Sequence, residues 1–201
     1  EDIMVITISR EYGSGGSEIG HKLASLLGIP CYDKTVNELT ADLAGLPVDT
    51  VAASEDKASM ALDYSGYHTY GYGLFSMNRS LPIYDRIFIA QSNAIVKLAR
   101  EGDCVIVGRC AADVLNRNRI PCLNVFIHAP IDERVARLRE RHDITEAEAR
   151  KFIRKSDKAR ANYHRKYAFT EWGKARNYHM TISSSLGIDK VVRIIAAAVE
   201  K

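Results

Sequence analysis

Gly13, Gly15, Gly16 and Ser17 crowd into one short stretch, immediately after a run of β-branched residues and immediately before a helical pattern. Glycines at such a junction let the backbone turn sharply and come close to a ligand. Successive N–H groups in the turn form an anion-holding concavity, and the following helix adds its N-terminal partial positive charge. The chemistry expected of REYGSGGS is therefore phosphate binding, with Gly13, Ser14, Gly15 and Gly16 supplying amides and Ser17 a hydroxyl. A tight strand-to-helix turn that needs glycine only for its geometry would leave the same signature. The match to the phosphate-loop pattern G-x-x-x-x-G-K-[ST] is incomplete. With Gly15-Gly16-Ser17 on its G-K-[ST], Arg10 stands at the first glycine and Gly16 where the phosphate-bridging lysine belongs. Ser17 falls on the hydroxyl that reaches Mg²⁺. The missing lysine removes a cation that stabilises a transferring phosphoryl group. Either another basic residue fills in, with Arg10, Lys22 and the downstream arginines as candidates, or catalysis is weak.

Positive charge is concentrated elsewhere in the chain. The 201 residues carry a net charge of +3, too little to argue for nucleic acid. Between Arg134 and Lys166, however, twelve Lys/Arg face five Asp/Glu, a local +7 that leaves −4 for the remainder. Such a segment suits a polyphosphate ligand, or is simply a solvated helix face. Asp33 follows a short apolar run and could position an acceptor or its metal, or could cap the next helix. The four cysteines and six histidines show no metal-ligand spacing, and the thiols read as free and mostly buried. That cysteine usage suggests the cytoplasm. No apolar run approaches the ~20 residues of a membrane span, and residues 1–4 do not resemble a secretory signal.

The elements that must position these groups alternate in type. Residues 3–8, 104–107, 122–127 and 178–182 read as strands, the first three as unbroken apolar runs of the kind buried on both faces. Helical patterns cover 17–27, 81–100, 110–117, 131–141, 146–166 and 188–199, with 34–62 helical but interrupted at Gly45 and Pro47. The helix at 81–100 is apolar enough for either the core or a homodimer interface. Residues 64–80, with three glycines and four tyrosines, read as a loop that could stack over a base. Trp172 reads as packing or as a wedge that helps close a site. Strand–helix alternation predicts one α/β domain over 1–201 with a parallel sheet covered on both faces.

Several segments together resemble the cytidylate-kinase-like family: ISREYGSGG, CYDK at 31–34, VIVGRCAADVL at 105–115, VFIHAPIDERVARLRER at 125–141, the stretch 147–167, and YHMTISSSLG at 178–187. That family is known for the same lysine-free loop. The resemblance implies a five-stranded parallel sheet with a monophosphate-binding insertion, here 34–80, and an arginine-bearing helical lid, here 142–177. It implies Mg²⁺-dependent phosphoryl transfer from ATP to a nucleoside monophosphate, with no nucleic-acid or membrane partner. Gly108-Arg109 corresponds to the family's Gly-Arg-Asp motif, so Arg109 would hold the acceptor phosphate. Cys110 stands at the aspartate position, with Asp113 one helical turn on, which puts cytosine specificity in doubt. Arg154 and Arg160 would clamp phosphates from the lid. The alternatives are a nucleotide- or anion-binding protein without turnover, and a kinase of a non-nucleotide metabolite.

Overall fold

The computed structural model describes residues 4–54 and 81–199. The first strand, β1 (Val5–Arg10), alternates its side chains between two apolar surfaces. Ile6 and Ile8 point to one face, Val5 and Thr7 to the other, and all four are buried. It reaches Arg10 rather than stopping at residue 8, because the ladder with its neighbour continues through Ser9↔Phe126 and Arg10↔Ile127. Main-chain pairing, not side-chain polarity, sets where the strand ends.

Helix α1 (Gly16–Leu27) leads to β2 (Cys31–Tyr32), then α2 (Thr35–Ala44) and α3 (Val48–Ala52), broken between them at Gly45 to Pro47 as expected. The remainder of the 34–62 helical reading and the tyrosine-rich loop at 64–80 lie outside the described residues. The chain resumes in α4 (Ile83–Glu101), β3 (Cys104–Val107), α5 (Ala111–Arg117), β4 (Leu123–His128), α6 (Ile131–Arg141), α7 (Glu146–Tyr167), β5 (Met180–Ser183) and α8 (Ile188–Ala197).

The five strands lie in the order β2-β3-β1-β4-β5, every pair parallel. One face is covered by α1 and α8, with Ile19, Leu23, Val191 and Ile195 packed on Ile6, Ile8, Val105 and Ile127. The other carries α4 and α5, where Ile95, Ala99 and Leu115 meet Val5, Cys104 and Ile106. Helix α4 thus buries one side in the core, while Leu81, Ile83 and Ile89 near its start remain exposed. Among the described residues, no helix is long and apolar enough to cross a membrane.

Two further packings fix the basic segment. The first half of α7 lies on α6 through Val135, Leu138, Ala149 and Ile153. Its second half is fastened to α4: Tyr167 stacks on Phe88 at 4.1 Å and donates its hydroxyl to Asp85 at 2.8 Å. Tyr163 donates to the buried Gln91 at 2.8 Å.

Helix α1 approaches the sheet closely because Gly20 has no side chain. A Cβ there would lie 2.8 Å from Val107 Cγ2 and 3.4 Å from Ile8 Cδ1. Gly20→Ala gains about 1 kcal/mol of helix propensity but overpacks a rigid core by roughly 1–3 kcal/mol. The expected outcome is a net loss of stability in urea titration, although the same change on an open helix face would stabilise.

Candidate functional site

The carboxyl ends of β1 and β3, where open parallel sheets place ligands, converge on the glycine loop. The loop's peptide groups are oriented by arginines. Arg160 donates to the carbonyl of Arg10 at 3.1 Å, Arg134 to that of Tyr12 at 3.2 Å, and Arg137 to that of Gly13 at 3.3 Å. The N–H of Tyr12 donates to Asp157 at 2.7 Å, and Asp157 also accepts from Arg134 at 2.6 Å. The amides of Gly13, Gly15, Gly16 and Ser17 have no acceptor among the described residues. With carbonyls drawn to the arginines, the amide groups are left for an anion.

Asp33 is the hub on the opposite side. Its carboxylate accepts from Ser17 Oγ at 2.5 Å and lies 3.6 Å from Arg109 Nη1 and 4.0 Å from Arg10 Nη2. Burial pushes its pKa up, but the Ser17 hydroxyl, Arg10 and Arg109 outweigh that and hold it below the ordinary carboxylate range. The alternative role as a helix cap does not apply: the residue preceding α2 is Lys34, and no side chain caps that helix.

Arg109 itself is buried and immobilised. It donates Nε to Asn37 Oδ1 at 3.1 Å and Nη1 to the Val107 carbonyl at 2.9 Å. It sits in an unusual turn in which Gly108, Arg109 and Cys110 all have left-handed φ, at 83°, 58° and 53°. Such backbone costs on the order of 1 kcal/mol or more per non-glycine residue, and it clusters at functional sites. Here it folds the arginine back over the strand end. The cleft so formed is lined by Arg10, Arg109, Arg160, Cys110, His164 and Trp172 among others. Trp172 meets Phe126 edge-on at 5.4 Å, so it both packs and forms a wall.

Two expected site residues lie elsewhere. Arg154 is exposed on the outer side of α7, with no ion pair or hydrogen bond among the described residues, whereas Arg160 on the same helix faces the loop. Their spacing does not put them on one face toward the site. Asp113 turns to the interior, 3.7 Å from His164 Nε2, and accepts from Thr170 Oγ1 at 3.0 Å. Since Thr170 spends its proton on Asp113, His164 Nε2 must donate to Thr170 (2.8 Å), leaving Nδ1 to accept from the Cys110 thiol at 3.5 Å. Cys110 occupies the expected aspartate position as the first member of a relay.

Sequence reading missed Asn37, Arg134, Arg137 and His164. A signal existed for the two arginines, whose i, i+3 spacing puts both on one face of a short helix. None existed for His164, because Cys110 and Asp113 are 54 and 51 positions away in sequence.

The other cations are already engaged. Lys22 is exposed and bonded to Asp189 at 2.7 Å, beside Glu18 at 3.7 Å. Arg134 is buried against Asp157 and lies 3.6 Å from Glu11. Removing it as Arg134→Ala would strand Asp157 and release two loop contacts, at a cost on the order of 3 kcal/mol, measurable by urea unfolding.

Burial lowers the His164 pKa, with Asp113 pulling partly back, so the net shift is downward. Between the folded value and the unfolded ~6.5, the unfolded chain binds more protons. Stability is therefore full above that pH and declines as pH falls below it. The Tm of the native chain should drop more steeply from pH 7 to pH 5 than that of His164→Gln. Parallel curves would remove His164 as the source.

Comparisons with known proteins bear on the family and the fold. The sequence matches the description "cytidylate kinase-like family" across residues 5–186. An uncharacterized protein from Eubacterium ventriosum ATCC 27560 is 28% identical, with a TM-score of 0.69 over 98% of both chains. Shikimate kinase from Bacteroides thetaiotaomicron superposes with a TM-score of 0.56 at 15% identity over 99% of both chains. A gluconokinase from Sinorhizobium meliloti 1021 gives 0.51 at 15% identity, over 98% of this chain and 90% of that one. At such identity these two kinases share the fold alone. A search of curated proteins returned no match. The sequence match spans nearly the whole described chain, and on that ground the protein belongs to the cytidylate kinase-like family, built on a P-loop kinase fold.

Proposed function

We propose that the protein transfers the γ-phosphoryl group of ATP to a nucleoside monophosphate. The observation that carries this reading is the pairing of two anion-seeking surfaces across one cleft. On one side are the loop amides of Gly13, Gly15, Gly16 and Ser17, without acceptors among the described residues. On the other is Arg109, held by Asp33 and Asn37. Arg10 and Arg160 line the space between. The loop, with Ser14 bracing it through a hydroxyl bond to the Glu11 carbonyl, suits the donor phosphates. Arg109 suits the acceptor phosphate: with Nε on Asn37 and Nη1 on Val107 and Asp33, its Nη2 is the group placed to donate to it.

An Mg²⁺ ion fits the donor set. Ser17 Oγ and the Asp33 carboxylate offer two hard oxygens, and this ion is commonly held by one or two protein oxygens, with phosphates and water completing its shell. Among the described residues there is no cluster of three or more His, Cys, Asp or Glu side chains that could hold a metal ion. The ion would neutralise charge on the donor phosphates.

In the transfer, an acceptor phosphate oxygen bonds to the γ-phosphorus while the bond from that phosphorus to the β–γ bridging oxygen breaks, releasing ADP. An acceptor already ionised needs no base. The depressed pKa of Asp33 accords with this, because it makes that carboxylate a poor proton acceptor and a good ion-pair partner. Catalysis is then positioning and charge neutralisation. Homodimerisation remains part of this reading only through the exposed start of α4.

The test is ADP formation from Mg·ATP across a panel of nucleoside monophosphates, compared with no acceptor. Acceptor-dependent turnover names the substrate. Arg109→Ala should raise the acceptor KM about 10- to 100-fold, the worth of a charged hydrogen-bonded contact, while ATP affinity changes little. Equal losses for both ligands would remove Arg109 from the acceptor side. ATP binding without turnover on any acceptor would favour a regulatory nucleotide binder, a reading to which Cys110 at the aspartate position and the absent loop lysine already point.

A further inference from the structure

Gly16 stands where a phosphate loop carries its lysine, and the structure shows why no side chain can stand there. A Cβ on Gly16 would lie 2.5 Å from Arg10 Cβ and 2.9 Å from Arg10 Cγ, with Ile127 Cβ at 3.5 Å behind. The stem of Arg10 fills the volume that a lysine stem would need. At its far end the same arginine crosses the tip of β3. A Cβ on Gly108 would meet Arg10 Nη1 at 2.0 Å and Cζ at 3.0 Å. Two glycines on different elements, one opening α1 and one following β3, thus lie against one side chain: its stem excludes a side chain at position 16, while at 108 the left-handed φ of 83° is what favours glycine.

The path of that side chain runs from the donor loop toward the acceptor side. Its Nη2 lies 4.0 Å from Asp33 Oδ1, the carboxylate that also binds Ser17 and pairs with Arg109. Arg134 and Arg137 hold the Tyr12 and Gly13 carbonyls, Arg160 that of Arg10, and Lys22 is turned to Asp189.

We propose that Arg10 replaces the loop lysine in both space and role: it is the cation that faces the transferring phosphoryl group. Gly16 is the vacancy in the sequence that makes the replacement possible. The role rests on the reading of the site as a phosphoryl-transfer centre. The spatial exchange does not, since it follows from the packing alone. The arrangement is specific, because a lysine cannot simply be added back at position 16 while Arg10 remains.

The experiment uses the full chain and four variants: Arg10→Met, Arg10→Gly, Gly16→Lys and the double R10G/G16K. Each is read by Tm and by the dissociation constant for Mg·ATP, and by turnover once an acceptor is in hand. Arg10→Met keeps a stem and removes the charge. It should fold with a near-native Tm, weaken Mg·ATP at least tenfold, and slow turnover about 10²- to 10³-fold. Gly16→Lys should lower Tm by roughly 4–10 °C through overpacking. The double variant should regain most of that Tm loss, and it should bind Mg·ATP more tightly than Arg10→Gly, because the new lysine enters the vacated space.

Tm losses that simply add in the double variant would overturn the exchange of space. Native-like Mg·ATP binding and turnover in Arg10→Met would overturn the role. A native chain that binds no Mg·ATP would overturn the role together with the kinase reading, an outcome distinct from a native chain that binds it and an Arg10→Met variant that binds it equally well.

Discussion

The site depends on which way a handful of peptide groups point. A glycine-rich loop has no intrinsic reason to present its amides rather than its carbonyls, since glycine populates both hands of backbone conformation about equally. Here the choice is imposed from outside, by guanidinium groups that capture the carbonyls of Arg10, Tyr12 and Gly13. Those arginines come from α6 and α7, well after the loop in sequence, so the loop's form depends on the packing of the basic segment. The local +7 charge between residues 134 and 166 is therefore partly structural. Some of it builds the loop, and only some faces the cleft.

The same logic explains how α7 is held. Asp157 links it to the loop through Tyr12 and to α6 through Arg134, and the Tyr163/Tyr167/Phe88 cluster ties its far end to α4. A half-buried carboxylate at the contact of two arginine-bearing helices is costly unless its partners are present, and here its oxygens are matched by an amide and a guanidinium. The hydrogen bonds that shape the loop are thus the ones that fasten the helix over it.

Most of the fold was legible in the sequence, for a simple reason. A parallel sheet covered on both faces demands uninterrupted apolar strands, and ITI, CVIV and NVFI announce themselves. Helix boundaries at Gly28, Gly45 and Gly102 were equally plain. The strand end at Arg10 was not, because it is written in the β4 ladder rather than in its own side chains. The loop, Ser17, Asp33, Arg109 and Arg160 could be nominated from motif position and resemblance. Arg154 and Asp113 could be nominated the same way, yet the structure turns one to solvent and the other to a buried histidine. Helical spacing tells which residues share a stripe, but only tertiary packing tells which stripe meets the site. The His164 relay joins side chains from the β3–α5 turn, α7 and the segment after it, and no local pattern encodes that meeting.

The overlap of Arg10 with position 16 also has an evolutionary meaning. Lysine-bearing and lysine-free loops are separated by two substitutions, and neither order is smooth. Gaining the lysine first forces two stems into one volume, given the 2.5 Å approach at Gly16, whereas losing the arginine first leaves that volume empty. The loop is thus held by packing as much as by chemistry: the arginine at 10 and the glycine at 16 can be exchanged only together.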